Sequence, residues 1–239
     1  MSKAVPKGGL VDLEREVRHT KEDALSDREF ELLVEGTYRM DDDYFALESR
    51  LVVFLAGRYG MRAGEIAHMR EDWIDWERGM ITIPRHQPCE KGRDGKKCGY
   101  CRQAAEQMAD HNPGLDFETA LKYLWSPKTE NSAREIPIDA TARARIALQR
   151  YFERFDRFQA SRGVVNRRVT WAAEEAEEID ADELYPHALR ATAASYYVSR
   201  GIDIIALKAM FGWECLSTAQ HYLQDSGERT ARSLRRLSR

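Results

Sequence analysis

Four separated stretches of the chain carry side chains that can act on a phosphate ester. They are Gly60-Met61-Arg62-Ala63-Gly64-Glu65, Pro127-Lys128-Thr129, His187-Ala188-Leu189-Arg190, and Gly212-Trp213 with Tyr222 nine residues beyond the Trp. Breaking a phosphodiester without a metal needs a nucleophile, cationic hydrogen-bond donors around the five-coordinate phosphorus, and an acid for the departing oxygen. A tyrosine hydroxyl, two guanidinium forks, a lysine and a histidine supply each type. Taken singly, every stretch has a plainer meaning. An arginine after a helix-stopping glycine is ordinarily a surface residue, a His and an Arg three apart on one helix face form a solvated pair, and Trp or Tyr packs in a core. Glu65, three beyond Arg62, reads as a supporting partner or helix former rather than a reacting group.

In this order, and with compatible elements between them, the stretches resemble the tyrosine recombinase (phage integrase) family over about Ser26 to Leu223. The resemblance implies a DNA strand transferase. Tyr222 would attack the scissile phosphate of double-stranded DNA and become a 3′-phosphotyrosine, so that rejoining needs neither ATP nor a metal. Arg62 and Arg190 would clamp the non-bridging oxygens, Lys128 would protonate the departing 5′ oxygen, and His187 would assist proton transfer at the tyrosine. Trp213 would donate its indole N–H to the phosphate where many relatives have His. The resemblance further implies a synaptic homo-oligomer, a tetramer on DNA, with the segment beyond Tyr222 docking on a neighbour. Most relatives carry a helical DNA-clamping domain ahead of the catalytic one, whereas 25 residues precede Ser26 here. The expectation is that a basic insert, an accessory DNA-binding protein or a further piece of a longer chain supplies that grip. The rival expectation is a non-catalytic helical DNA-binding or regulatory protein, because Asp203 to Gln224 also scans as a helix-turn-helix with Tyr222 as packing.

The elements that must hold these residues follow from local pattern. Ser26 with Glu29 makes a capping box that opens a first helix, with Phe30, Leu33 and Val34 at helical spacing. Tyr44 to Tyr59 is apolar almost all round and predicts a buried helix stopped at Gly60. A short helix over Ala63 to Arg70 and a strand over Met80 to Ile83, closed by Pro84, come next. Lys122 to Trp125 and Arg134 to Ile138 predict a hairpin around Lys128, and Ala144, Leu148, Tyr151, Phe152 and Phe155 predict a helix over roughly Ala140 to Gln159. After an acidic linker, Pro186 opens a helix running to a Gly201 stop, Asp203 caps the next one to about Gly212, and Ser217 to Gln220 reads as a second capping box. The fold class expected is mainly α with a small antiparallel β-sheet (α+β), the tyrosine recombinase catalytic-domain fold. The division expected is a lead-in at 1–20, a catalytic domain at 21–225 and a basic tail at 226–239.

The segment 85–122 interrupts this pattern as an insert. It carries His86 and Cys89, then Cys98-Gly-Tyr-Cys101. Soft and borderline ligands at that spacing suit a structural zinc knuckle of His86, Cys89, Cys98 and Cys101, with His111 as a substitute for His86, and the alternative is reduced thiols in an irregular loop. Cys215 is expected to be a small buried hydrophobe.

Composition narrows the class. At 239 residues, 43% hydrophobic and 32% charged, the chain is a globular protein without a run long enough to span a bilayer. Four cysteines without a hydrophobic leader argue against a disulfide framework and point to the cytoplasm. The net charge of −3 hides segregation. Six Lys or Arg against two acidic residues occupy 85–102, and eight Arg against two acidic residues occupy 141–168. With 28 Arg to 9 Lys, the positive charge is mostly of the kind that forks onto phosphate.

Overall fold

Ser26 opens α1 (Asp27–Arg39) with the expected box: its Oγ accepts from the Glu29 backbone N–H at 3.2 Å, and its own N–H donates to Glu29 Oε2 at 2.7 Å. The computed structural model describes residues 23–220 and Tyr222, so the lead-in at 1–20 and the tail at 226–239 lie outside the described residues. Helix α2 (Asp43–Gly57), capped by Asp42, is buried from Ala46 to Gly57 and forms the centre of the molecule. Leu51, Val52, Val53 and Leu55 are almost fully enclosed, each worth roughly 1.5 to 3 kcal/mol of apolar transfer.

Gly60 follows at φ 62°, and Met61 N–H closes the helix end onto Leu55 O at 2.9 Å, so that Arg62 enters α3 (Ala63–His68) from a sharp corner. A small sheet comes next. Strand β1 (Ile74–Asp75) pairs with β2 (Met80–Ile83), and β2 pairs with β3 (Arg134–Pro137), all antiparallel. Ile81, Ile83 and Ile136 point into the core while Thr82 and Glu135 face out, the period-2 alternation of a half-buried sheet.

The expected hairpin does not form as a pair of adjacent strands. Residues 122–125 end the short helix α5 (Phe117–Lys122) and reach only an isolated bridge between Trp125 and Gln87. Strand β3 therefore pairs across the insert with β2. The insert itself is an irregular stretch at 85–98 followed by α4 (Gly99–His111), which packs on α5. Its mouth is closed where Gln87 N–H donates to Trp125 O at 2.9 Å, and the Gln87 side chain bridges Trp73 Nε1 and His68 O.

Helix α6 (Ala142–Phe152) is shorter than the span expected from Ala140 to Gln159. Helix α7 (Arg162–Glu174) has no counterpart in the sequence reading, yet Val165, Val169, Ala172 and Ala173 bury its face against α2. There Arg168 and Glu48 form a buried ion pair, and Tyr44 donates to the same carboxylate at 2.8 Å. Arg168 thus leaves the basic surface counted from the sequence. Arg143 pairs with Glu31, Arg145 with Asp139 and Arg157 with Asp156, so that stretch is less free than its composition indicates.

Helix α8 (Pro186–Ser199) starts at its proline and packs on α2. Helix α9 (Ile204–Phe211) is capped by Asp203 Oδ1, which accepts from Ile205 and Ala206 N–H at 2.8 and 3.1 Å, and ends at Gly212 with φ 58°. Helix α10 (Leu216–Gln220) begins before Ser217, so the second capping box is not made and Tyr222 sits in a turn beyond the helix. Cys215 is exposed, against the expectation of burial, with its Sγ 2.9 Å from Ser217 Oγ. No helix among the described residues is long and apolar enough to cross a membrane.

Candidate active site

Arg62 occupies the N-cap position of α3, where the corner at Gly60 aims its side chain back across the molecule. Its backbone N–H and its Nη1 donate to the two oxygens of Glu65 at 2.8 and 2.9 Å. Nη1 also donates to Ser132 Oγ at 2.8 Å and Nη2 to Gly212 O at 3.2 Å. Arg134, from β3, takes the same carboxylate in a fork, Nη1 to Oε1 at 2.9 Å and Nη2 to Oε2 at 3.0 Å, and its Nε donates to Met210 O at 2.7 Å. Glu65 is 1% exposed. Burial opposes its ionisation, yet the guanidinium of Arg134, and behind it Arg190 and Arg62, hold its carboxyl down at about 2.

Arg190 lies one turn into α8 and is 3% exposed. Its Nη1 donates to Gly60 O and its Nη2 to Phe211 O, and its guanidinium lies 5.0 Å from the centre of the Phe211 ring. Burial first, then the repulsion of Arg62, pushes its pKa well below the usual arginine range. Two guanidinium groups therefore share one buried carboxylate, and a third, Arg190, bonds only backbone carbonyls while acting on that carboxylate through its charge. Such a cluster carries excess positive charge away from water, which an anion in the adjoining cleft would relieve.

That cleft has a volume of about 430 Å³ and is lined by Arg62, Lys128, His187 and Arg190, with Arg162, Tyr100 and Trp125 along its wall. Lys128 stands exposed in the 126–129 turn. His187, at the start of α8, opens onto the same space. Enclosure by the cleft walls, then the charges of Arg190, Arg62 and Lys128, lower its pKa below 6.5, so the ring is neutral at pH 7.

Four of the six residues expected to react thus face one cleft. Trp213 and Tyr222 form a neighbouring stack, with ring centres 5.5 Å apart and planes 9° from parallel, and the Phe211 ring lies 4.9 Å from the indole, tilted by 33°. This pair joins the cleft through the backbone that carries it, because Gly212 O accepts from Arg62 and Phe211 O from Arg190. Burial raises the Tyr222 phenol above its usual pKa, with Arg190 opposing. Neither Arg134 nor Ser132 was given a role at the site from the sequence. Only their position just past the Lys128 turn hinted that they belong here.

The metal-ligand expectation changes in one residue. Cys89, Cys98 and Cys101 do converge, but the fourth group beside them is His68, at the end of α3, with all four ligand atoms within 4.8 Å of one another. His86 is exposed and stands outside that group, because the chain turns Gln87 rather than His86 inward to hold His68 O and Trp73. His111 is bound to Gln107 O on the outside of α4.

The helical frame and three-stranded sheet together present an arginine-lined cleft. A profile of the phage integrase family matches residues 25–229, and the chain belongs to that family. The tyrosine recombinase XerA of Thermococcus kodakarensis is 23% identical over 173 residues, 72% of this chain and 49% of its own. The tyrosine recombinase XerC of Syntrophus aciditrophicus is 23% identical over 181 residues, 76% of this chain and 50% of its own. The chain spans about half the length of these curated relatives. Among solved structures, the Tn1549 transposon integrase in complex with transposon right end DNA shares the fold, with a TM-score of 0.62, 18% identity, and coverage of 98% of this chain and 71% of that one. A crystal structure of XerA recombinase aligns with a TM-score of 0.56 at 15% identity, over 89% of this chain and 62% of that one.

Proposed function

We propose that the chain cleaves and rejoins double-stranded DNA at specific sites through a 3′-phosphotyrosine. The observation that carries this is the cleft shared by Arg62, Arg190, Lys128 and His187, with Arg62 held at its edge by Glu65, which Arg134 grips from behind. In this scheme the Tyr222 oxygen forms a bond to the scissile phosphorus as the bond from phosphorus to the 5′ oxygen breaks. His187 takes the phenolic proton and Lys128 gives one to the departing oxygen, leaving a free 5′ hydroxyl. Arg62 and Arg190 hold the non-bridging oxygens where negative charge grows, while Arg134 and Glu65 position Arg62. Attack by a second 5′ hydroxyl reverses the step, and since one phosphodiester replaces another, no ATP or metal enters. Tyr222 must leave or reorient its stack on Trp213 to reach the phosphate, and the indole N–H of Trp213 supplies a further donor there.

Two duplexes must meet for strands to exchange, so the working form is a synaptic homo-oligomer, a tetramer, on DNA. The exposed Arg93 and Lys96 of the insert add electrostatic grip, with an accessory DNA-binding protein as the further partner, and the enzyme acts in the cytoplasm with its DNA. Covalent capture tests the chemistry. Protein incubated with a pool of randomised nicked duplexes and then denatured should retain DNA, and Tyr222→Phe should retain none. Salt-sensitive binding without any covalent adduct would instead assign a non-catalytic DNA-binding role.

A further inference from the structure

Two ends of α3 meet different chemistry. Arg62 begins the helix at the arginine cluster, and His68 ends it against three sulfur atoms contributed by the insert. The His68 Nδ1–H donates to Gly64 O at 2.8 Å within its own helix, which leaves Nε2 as the acceptor nitrogen facing the sulfurs. Nε2 lies 3.5 Å from Cys98 Sγ and 3.4 Å from Cys101 Sγ. Cys89, 2% exposed, completes the group from the loop after β2. Four ligand atoms within 4.8 Å of one another match a tetrahedron around an ion with metal–sulfur bonds of ~2.3 Å, whose edges are roughly 3.8 Å.

We propose that His68, Cys89, Cys98 and Cys101 bind one Zn²⁺ as a closed structural centre that fastens the insert to α3. Three thiolates and an imidazole suit zinc among common ions, and four protein ligands leave no open position for catalysis. The His68 Nδ1–H bond to Gly64 is the outer contact that metal-bound histidines use to fix their ring. Position decides what the centre does. Tyr100 lies between two ligands and lines the cleft, and Trp125, also in the cleft wall, stacks on the His68 ring at 4.6 Å with planes 17° apart. The ion therefore ties the wall of the cleft to the helix that presents Arg62. The centre stands without the recombinase reading, whereas its influence on DNA rests on it.

The full chain purified under reducing conditions should carry about one zinc, read by elemental analysis and native mass spectrometry. His86→Ala should keep the metal, His68→Ala should lose it, and His68→Cys should restore it. Should the His68 variants fail to fold, Co²⁺ exchanged into the wild-type chain gives a second readout, the intense visible absorption of tetrahedral thiolate-bound cobalt. Chelation should lower the melting temperature and weaken DNA binding. A metal-free chain whose melting is unmoved by chelator, a Cys98–Cys101 disulfide in its place, or zinc lost with His86→Ala and kept with His68→Ala would each overturn the proposal. Metal content and strand cleavage are read separately, so failure of one is distinct from failure of the other.

Discussion

Glu65 and Arg134 are joined as a buried fork, Oε1 to Nη1 at 2.9 Å and Oε2 to Nη2 at 3.0 Å, and the same two oxygens also receive the Arg62 backbone N–H and Nη1. One carboxylate thereby sets the distance between α3 and β3 and the direction of the Arg62 side chain. Removing its charge leaves two guanidinium groups enclosed without their partner. Glu65→Gln is expected to cost about 3 to 5 kcal/mol in urea unfolding and to abolish covalent capture of DNA.

The same carboxyl makes stability depend on acid. Its folded pKa of about 2 lies below its ordinary 4.5. Its contribution, on the order of 3 kcal/mol, is complete above pH 4.5 and is lost as pH falls through about 2. Unfolding measured from pH 6 downward should show this loss in the wild type and a smaller slope over that window in Glu65→Gln.

His187, whose lowered pKa keeps the ring neutral at pH 7, takes the Tyr222 proton in the proposed scheme. Since the neighbouring cations depress its pKa, single-turnover cleavage at subsaturating DNA should stay level toward the acid side until below pH 6.5, then fall as the ring is protonated. His187→Ala should slow cleavage by about 10²- to 10⁴-fold and remove that acid limb. A limb unchanged in the variant would take the base role from His187.

In the proposed scheme Lys128 serves the departing oxygen, so its importance should depend on the leaving group. Lys128→Ala is expected to slow cleavage of an ordinary duplex by about 10²- to 10⁴-fold. Replacing the bridging 5′ oxygen at the scissile phosphate by sulfur, which departs without a proton, should restore most of the rate. Equal loss with both substrates would show that Lys128 acts on binding alone.

Gly212 has φ 58°, and a β-carbon there would lie 2.6 Å from Asn131 O and 3.0 Å from Ser132 Cα. Gly212→Ala should destabilise the domain by about 1 to 3 kcal/mol. It should also weaken cleavage beyond that loss, because the Gly212 carbonyl anchors Arg62. Comparing both effects at a temperature where the variant is fully folded separates them.

The amino-acid sequence alone determined what depends on near neighbours. The Ser26 box, the apolar run of α2, the Gly60 corner, Pro186 and the Asp203 cap each act within a few residues, and the resemblance carried by the ordered motifs led to one site of Arg62, Lys128, His187, Arg190, Trp213 and Tyr222, of which the first four line one cleft. Tertiary structure decided the rest. Helix α7 escaped notice because its interior, Val165, Val169, Ala172 and Ala173, is small and interleaved with arginines, and only the face of α2 reveals it as core. Strand β3 found β2 across the insert rather than the adjacent 122–125 segment, since pairing is settled by which strand shares the buried isoleucine layer. Arg134 became a partner of Glu65 through that pairing. His68 displaced His86 at the cysteines for the same reason: spacing along the chain favoured the histidine three residues from Cys89, whereas the packing of α3 against the insert brought in one twenty-one residues away.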